Sequence, residues 1–282
     1  MGKRIIVKPL AGLSNRLRAI ESALSLGHTV GAPVEVVWAN DHQMAAFFDQ
    51  LFIVPSDFSL FQYDKYKYAR SSFSLKGVKK VLSKITNWYY GVETAVSELD
   101  VVELLWTKKL DLATWCRGKN SYFFTCQQFF PFRYNYSWLK PVPEVQQKLD
   151  RFVAAIGGRN CIGIHIRRTD HDVAIAQSPD FLFEQAIEKE MAGDENVVFF
   201  LATDDSNTEK HFVNKYGRER IVTNPKQFGR DSVEATRDAV VDLLSLTKCS
   251  KLYCSYWSSF SETAAVISGA ETIICRTDID KS

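Results

Sequence analysis

Cys161-Ile-Gly-Ile-His-Ile-Arg-Arg-Thr-Asp170 opens apolar and closes charged. Its apolar part reads as a strand, and strand side chains alternate. His165 and Arg167 therefore leave one face, and Ile164 and Ile166 leave the other. The strand ends with a His and an Arg side by side, and Arg168 and Asp170 follow in the exit loop. In open parallel sheets, ligands bind outside the carboxyl ends of the strands. Two guanidinium groups and an imidazole suit a diphosphate, whose oxygens a guanidinium holds bidentately. Asp170 would orient one of the arginines. A plain surface Arg–Asp network at a strand end is the competing reading.

Downstream, elements alternate. A helix over 145–156 leads into the quoted strand, and a helix over 180–192 leads into strand Val197–Thr203. Ser206-Asn-Thr-Glu209 has the capping-box pattern ahead of a helix over 207–216, with Gly217 as its stop. Arg220–Thr223 is a short strand. A helix over 232–248, strand Lys251–Tyr256, a helix over 260–269 and strand Thr272–Cys275 complete a doubly wound α/β domain. Upstream, Arg4–Lys8, a helix over 16–30 and Val34–Trp38 form a βαβ unit. Residues 56–130 are dense in aromatics and weak in periodicity, with helix candidates at 74–88 and 97–113. Pro131 to Pro143 reads as a linker, which divides the chain into an N-terminal α/β domain, 1–140, and a C-terminal domain, 141–282.

Two further loops sit at strand ends. Ser255-Tyr-Trp-Ser-Ser-Phe-Ser-Glu262 turns a strand into a helix, and Ser259 with Glu262 has capping-box spacing, which makes an anion site. Serines that merely cap the helix are the simpler local reading. Gly12-Leu-Ser-Asn-Arg16 opens the first helix with donors at Asn15 and Arg16; a plain turn and N-cap is again the better local reading. It matches neither G-x-G-x-x-G nor a Walker loop.

Composition narrows the rest. The 282 residues carry 35 Lys plus Arg against 33 Asp plus Glu, a net charge of +2, so nothing favours nucleic-acid binding. No apolar stretch reaches membrane-spanning length, and the N-terminal apolar run is too short for a signal segment; a cytoplasmic protein is expected. The six cysteines form no C-x-x-C pair, and neither a disulfide framework nor a zinc site is indicated.

His165-Ile-Arg-Arg-Thr-Asp170 resembles the H-x-R-R-x-D motif of the α1,2-, α1,6- and protein O-fucosyltransferase superfamily. It looks closest to the α1,6 branch and the bacterial nodulation enzymes. Ala202-Thr-Asp-Asp205, Asp242-Leu-Leu-Ser-Leu-Thr-Lys-Cys249, Leu252-Tyr-Cys254 and the Ser258-Ser259 turn match the same families in order. Gly12-Leu-Ser-Asn-Arg16 is similar to their G-x-G-N loop.

The resemblance implies two Rossmann-like domains facing a cleft, the GT-B arrangement. It implies GDP-fucose as donor substrate, no cofactor or metal, and a glycan or glycolipid acceptor. Arg167 would meet the β-phosphate and His165 the nucleotide, with Arg168 in support. Asp242 would accept from guanine nitrogens, Ser258 or Ser259 would hold phosphate, and Asn15 would reach the nucleotide-sugar from the other domain. Asp204 and Asp205 read as loop and sugar contacts or helix N-terminal acids. The α1,6 enzymes carry a downstream Glu where this chain has Ile175. Asp172 is the substitute general base, with Glu21 and Asp41 as alternatives.

Lys65, Lys67, Arg70, Lys76, Lys79, Lys80 and Lys84 form a basic run beside the apolar stripe Val78, Val81, Leu82 and Ile85. Such a helix either packs with a solvated face or touches an anionic membrane surface, the latter making the protein peripheral at the inner membrane face. The rival functions are a transferase using another nucleotide-sugar, a non-catalytic GDP-sugar or glycan binder, and a Rossmann-like protein of other chemistry.

Overall fold

The computed structural model describes residues 3–64, 91–169 and 172–277. The chain divides into two compact units, Met1–Lys140 and Pro141–Ser282. The basic run 65–84, the helix expected over 74–88 and Asp170 lie outside the described residues.

The first unit contains β1 (Ile5–Pro9), α1 (Leu13–Val30), β2 (Val34–Asn40), β3 (Ser59–Asp64), β4 (Thr94–Ser97), α2 (Glu98–Val101), α3 (Leu112–Cys116) and β5 (Ser121–Thr125). Its five strands are parallel, in the order β3-β2-β1-β5-β4. β1 is wholly apolar up to Lys8 and takes the centre, where both faces are covered. Behind β2, Trp38, Phe48, Phe58 and Trp138 form edge-on ring pairs 5.4–5.9 Å apart.

Two expectations fail in this unit. The helix expected over 97–113 breaks after a π-helical turn, Val102–Thr107. Lys109 takes a left-handed φ of 50°, and the Asp111 carboxylate accepts from the Ala113 and Thr114 N–H groups, capping a fresh helix. Pro131–Pro143 is mostly not a linker. The buried Glu21 carboxylate accepts from Tyr134 N, Tyr136 N and Trp138 Nε1 at 2.7–3.1 Å, fastening that segment to α1.

The second unit contains α4 (Pro143–Ile156), β6 (Cys161–Ile166), α5 (Asp172–Gln177), α6 (Asp180–Gly193), β7 (Val198–Thr203), α7 (Ser206–Tyr216), β8 (Ile221–Val222), α8 (Val233–Leu246), β9 (Lys251–Ser255), α9 (Ser259–Ser268) and β10 (Glu271–Cys275). Its parallel sheet runs β10-β9-β6-β7-β8. The chain winds from β6 through β7 to β8, then crosses back to β9 and β10. The topological switch point therefore lies between β6 and β9, where doubly wound folds bind ligands.

Alternation along β6 positions the site. Ile162, Ile164 and Ile166 enter a buried cluster with Phe183 and Ile187 of α6. On the opposite face, a Cβ at Gly163 would stand 2.5 Å from Leu252 Cδ2 and 2.9 Å from Leu246 Cδ2. Only glycine lets α8 approach this closely. His165 follows on the same face as Gly163, under the first turn of α9.

Candidate functional site

The site sits at the carboxyl ends of β6, β7, β8 and β9. His165, near the end of β6, is buried, and its ring stacks on Phe260 of α9 at 5.1 Å and 23°. Burial, reinforced by the Arg167 charge, pushes its basicity down to about 3; Asp204 opposes the shift, and Lys226 and Arg168 add to it. His165 is therefore neutral near neutral pH. Its Nδ1 is buried with no hydrogen-bond partner. A buried ring nitrogen left unpaired is a free-energy loss unless something else bonds it.

Arg167 is fixed from two sides. Its main-chain N–H donates to Ser255 Oγ at 3.0 Å, joining the exits of β6 and β9 across the switch point. Its Nε lies 3.4 Å from Asp204 Oδ2. Asp204 also accepts from Arg168 N and Thr169 Oγ1, both at 2.7 Å. This carboxylate, just beyond the end of β7, thus ties down the β6 exit from Arg167 to Thr169.

Arg168 points elsewhere. Its guanidinium donates to the Arg167 and Ser178 carbonyls at 2.8 Å each and pairs with Asp180 at the start of α6. It holds the loop carrying Arg167.

Two capping expectations are corrected. Asp205, not Ser206, caps α7: its carboxylate accepts from Thr208 N at 2.7 Å and from Thr208 Oγ1 at 2.8 Å. At α9 the cap is Ser258, so Glu262 falls one position beyond N3 and no capping box with Ser259 forms. The Ser258 side chain makes no capping bond, so the N-terminal amides of α9 have no side-chain partner there. Trp257, just before it, holds a left-handed φ of 53° and is 66% exposed. Such strain in a non-glycine residue tends to mark ligand-binding turns.

Asp242, on α8, is buried and accepts from Asn224 Nδ2 at 3.0 Å and Lys226 Nζ at 2.8 Å. Both partners lie in the loop leaving β8. Lys226 also stands 3.2 Å from Glu209 Oε2 on α7. Burial is the largest single influence and works against its ammonium, but the charges and hydrogen bonds of Asp242 and Glu209 together outweigh it and hold the pKa above the ordinary value.

His165, Arg167, Arg168, Asp242 and Ser258 thus gather at one edge of the second sheet, with Ser259 as the first residue of α9. Asp172 begins α5 and is exposed. Asn15 belongs to the first unit, at the start of α1, where its Oδ1 is buried without a partner. Glu21 and Asp41 are occupied: Glu21 holds the 134–138 segment, and Asp41 pairs with the buried Arg16 at 2.9 Å.

Sequence reasoning missed Lys226, Asn224 and Ser255. Asn224-Pro-Lys226 after a short strand was the available signal for the first two, and Ser255 stood at the head of a stretch already quoted.

Among the described residues no group of three or more His, Cys, Asp or Glu is placed to hold a metal ion. No described helix is long and apolar enough to cross a membrane.

This is a fold of two parallel five-stranded α/β sheets, and solved fucosyltransferases share it. NodZ α-1,6-fucosyltransferase soaked with GDP-fucose, an enzyme solved from Bradyrhizobium, superposes with a TM-score of 0.64 at 15% identity, covering 94% of this chain and 92% of that one. FUT1 of Arabidopsis thaliana in complex with GDP gives 0.64 at 14% identity, over 100% of this chain and 72% of the other. POFUT1 in complex with GDP-fucose gives 0.56 at 11%, over 97% and 98%. No protein-family model matches the chain. No curated protein matches it either.

Proposed function

We propose that the protein transfers fucose from GDP-fucose to a hydroxyl of a glycan acceptor. The observation that carries this reading is the switch-point pair: neutral, buried His165 with an unpaired Nδ1, next to an Arg167 braced by Ser255 and Asp204. The similar fold of proteins solved with GDP and GDP-fucose supports the choice of donor.

In this reading the bond between fucose C1 and the β-phosphate oxygen breaks, and its electron pair stays on the diphosphate. The acceptor oxygen bonds C1 from the opposite face, inverting it, and the hydroxyl proton passes to a carboxylate. The transition state is oxocarbenium-like, with negative charge growing on the leaving diphosphate. Arg167 meets that charge with a preorganised guanidinium, a role worth on the order of 100-fold or more in rate. Ser258, Ser259 and the amides at the start of α9 bind the other phosphate oxygens. Asp172 is the proposed base. Fixed cations make a divalent ion dispensable, so transfer should persist in a chelator.

Thermal-shift titration with GDP, GDP-fucose, GDP-mannose and UDP-sugars tests the donor. At 100 times its dissociation constant a ligand adds about 2.7 kcal/mol of stability. Stabilisation by UDP-sugars alone would end the proposal. Ile175, where the resemblance implies an acid, favours a second reading, a GDP-sugar binder without transferase activity. A labelled-fucose transfer assay separates the two.

A further inference from the structure

Trp257 lies between the buried Ser255 and Ser258, yet it is 66% exposed. One exposed indole is ordinary on a protein surface; the place and rigidity of this one are not. It directly precedes Ser258, the cap residue of α9, whose side chain makes no capping bond. Through Phe260, the same helix stacks on His165, whose buried Nδ1 has no partner. Both observations mark this helix start as a place where a ligand supplies the missing bonds.

The turn is anchored on both sides of the indole. The Tyr256 amide donates to Ser178 Oγ at 2.8 Å, and that hydroxyl donates to the Cys275 carbonyl at 2.5 Å, tying the turn to the exit of β10. Beyond Trp257, the Ser258 carbonyl accepts from Glu262 N at 3.1 Å and from Ser261 Oγ at 3.2 Å. Between these anchors Trp257 keeps its φ of 53°, a conformation unfavourable for a bulky residue. The Tyr256 ring meets the indole edge-on at 6.1 Å, and Arg276 Cζ lies over the Tyr256 ring, 5.9 Å from its centroid. The fold therefore presents the indole; a loose loop does not merely leave it exposed.

We propose that Trp257 selects the sugar of the donor, its indole face packing against the 6-deoxy end of the fucose of GDP-fucose. The inference rests on the GDP-fucose reading and deepens it. The motifs that carry the resemblance assign Ser258 and Ser259 and leave Trp257 without a role. With the diphosphate on the start of α9, the pyranose hangs one bridging oxygen from the β-phosphorus, within reach of the side chain that precedes the cap. Fucose differs from galactose of the same hand only at C6, where a methyl replaces the hydroxymethyl group. Methyl and ring C–H groups suit the negative face of an aromatic ring. A hydroxyl in the same spot would leave water and find no hydrogen-bond partner on the indole face.

Calorimetric titration of the full chain with GDP, GDP-fucose and GDP-L-galactose tests this. The two sugar donors differ by a single hydroxyl on C6. Wild type should bind GDP-fucose about tenfold more tightly than GDP-L-galactose, within the range an apolar contact gives against an added hydroxyl. Trp257→Gly removes the ring and suits the left-handed backbone, so GDP itself should still bind. In that variant the preference for GDP-fucose should shrink to about twofold or less. Trp257→Phe keeps an aromatic face and should keep most of the preference. A residue that only shaped the turn would weaken all three ligands alike and leave the ratio unchanged. A wild-type ratio near one, a ratio unchanged in Trp257→Gly, or one lost as fully in Trp257→Phe overturns the role of Trp257. Wild type that binds UDP and no guanine nucleotide instead overturns the donor reading beneath it.

Discussion

The Arg167 amide donates to Ser255 Oγ at 3.0 Å and so locks the exit of β6 to the exit of β9. Ser255 is fully buried. The bond fixes the backbone from which the Arg167 guanidinium projects, at the point where the strand order reverses. Ser255→Ala removes the acceptor and leaves the amide unpaired. The expected loss is about 1 kcal/mol of stability, read from urea denaturation, together with weaker GDP binding. A variant with unchanged GDP affinity would show that this bond does not position Arg167.

His165 should make the fold sensitive to acid. In the unfolded chain its imidazole titrates near 6.5; in the folded protein near 3. Between those values the unfolded state holds the extra proton, so stability is complete above pH 6.5 and declines as the pH falls toward about 3. His165→Phe keeps the stack on Phe260 and removes the titrating group. Its urea midpoint should fall less steeply than wild type between pH 6.5 and 4. Parallel slopes would contradict the burial of a neutral His165.

Gly163→Ala should be destabilising, because the new methyl meets Leu252 at 2.5 Å and Leu246 at 2.9 Å. Overpacking of this kind costs about 1–3 kcal/mol. Thermal denaturation gives the answer, and a variant as stable as wild type would mean that α8 does not press on β6.

Asp172→Asn tests the proposed base. Loss of proton transfer lowers kcat by about 100-fold or more, whereas GDP affinity should hold, since Asp172 is assigned to the acceptor hydroxyl. Undiminished transfer by the Asn variant would remove Asp172 from the mechanism.

The second sheet was legible because β6, β7 and β9 are buried on both faces and read as near-continuous apolar runs. In the first unit β3 is Ser-Leu-Phe-Gln-Tyr-Asp, an edge strand with no fully buried residue, and it offers no such run. β4 is four residues long, and β5 sits among so many aromatics that its alternation is masked. At the site, His165 and Arg167 were readable because strand alternation alone sets their direction. Lys226 was not, because its meaning depends on a loop folding back onto Asp242, sixteen residues further along the chain. The caps at Asp205 and Ser258 were each misplaced by one residue, where two adjacent side chains could cap and only packing chose between them.

The central claim is fucose transfer from GDP-fucose with Arg167 carrying the leaving-group charge. The direct measurement is transfer of labelled fucose from GDP-fucose to a glycan acceptor array, comparing wild type with Arg167→Ala and Arg167→Lys in chelator. Wild type should label at least one glycan. Both variants, folded by circular dichroism, should fall by about 100-fold or more, since lysine lacks the bidentate fork. A folded Arg167→Ala protein that transfers at the wild-type rate would contradict the account.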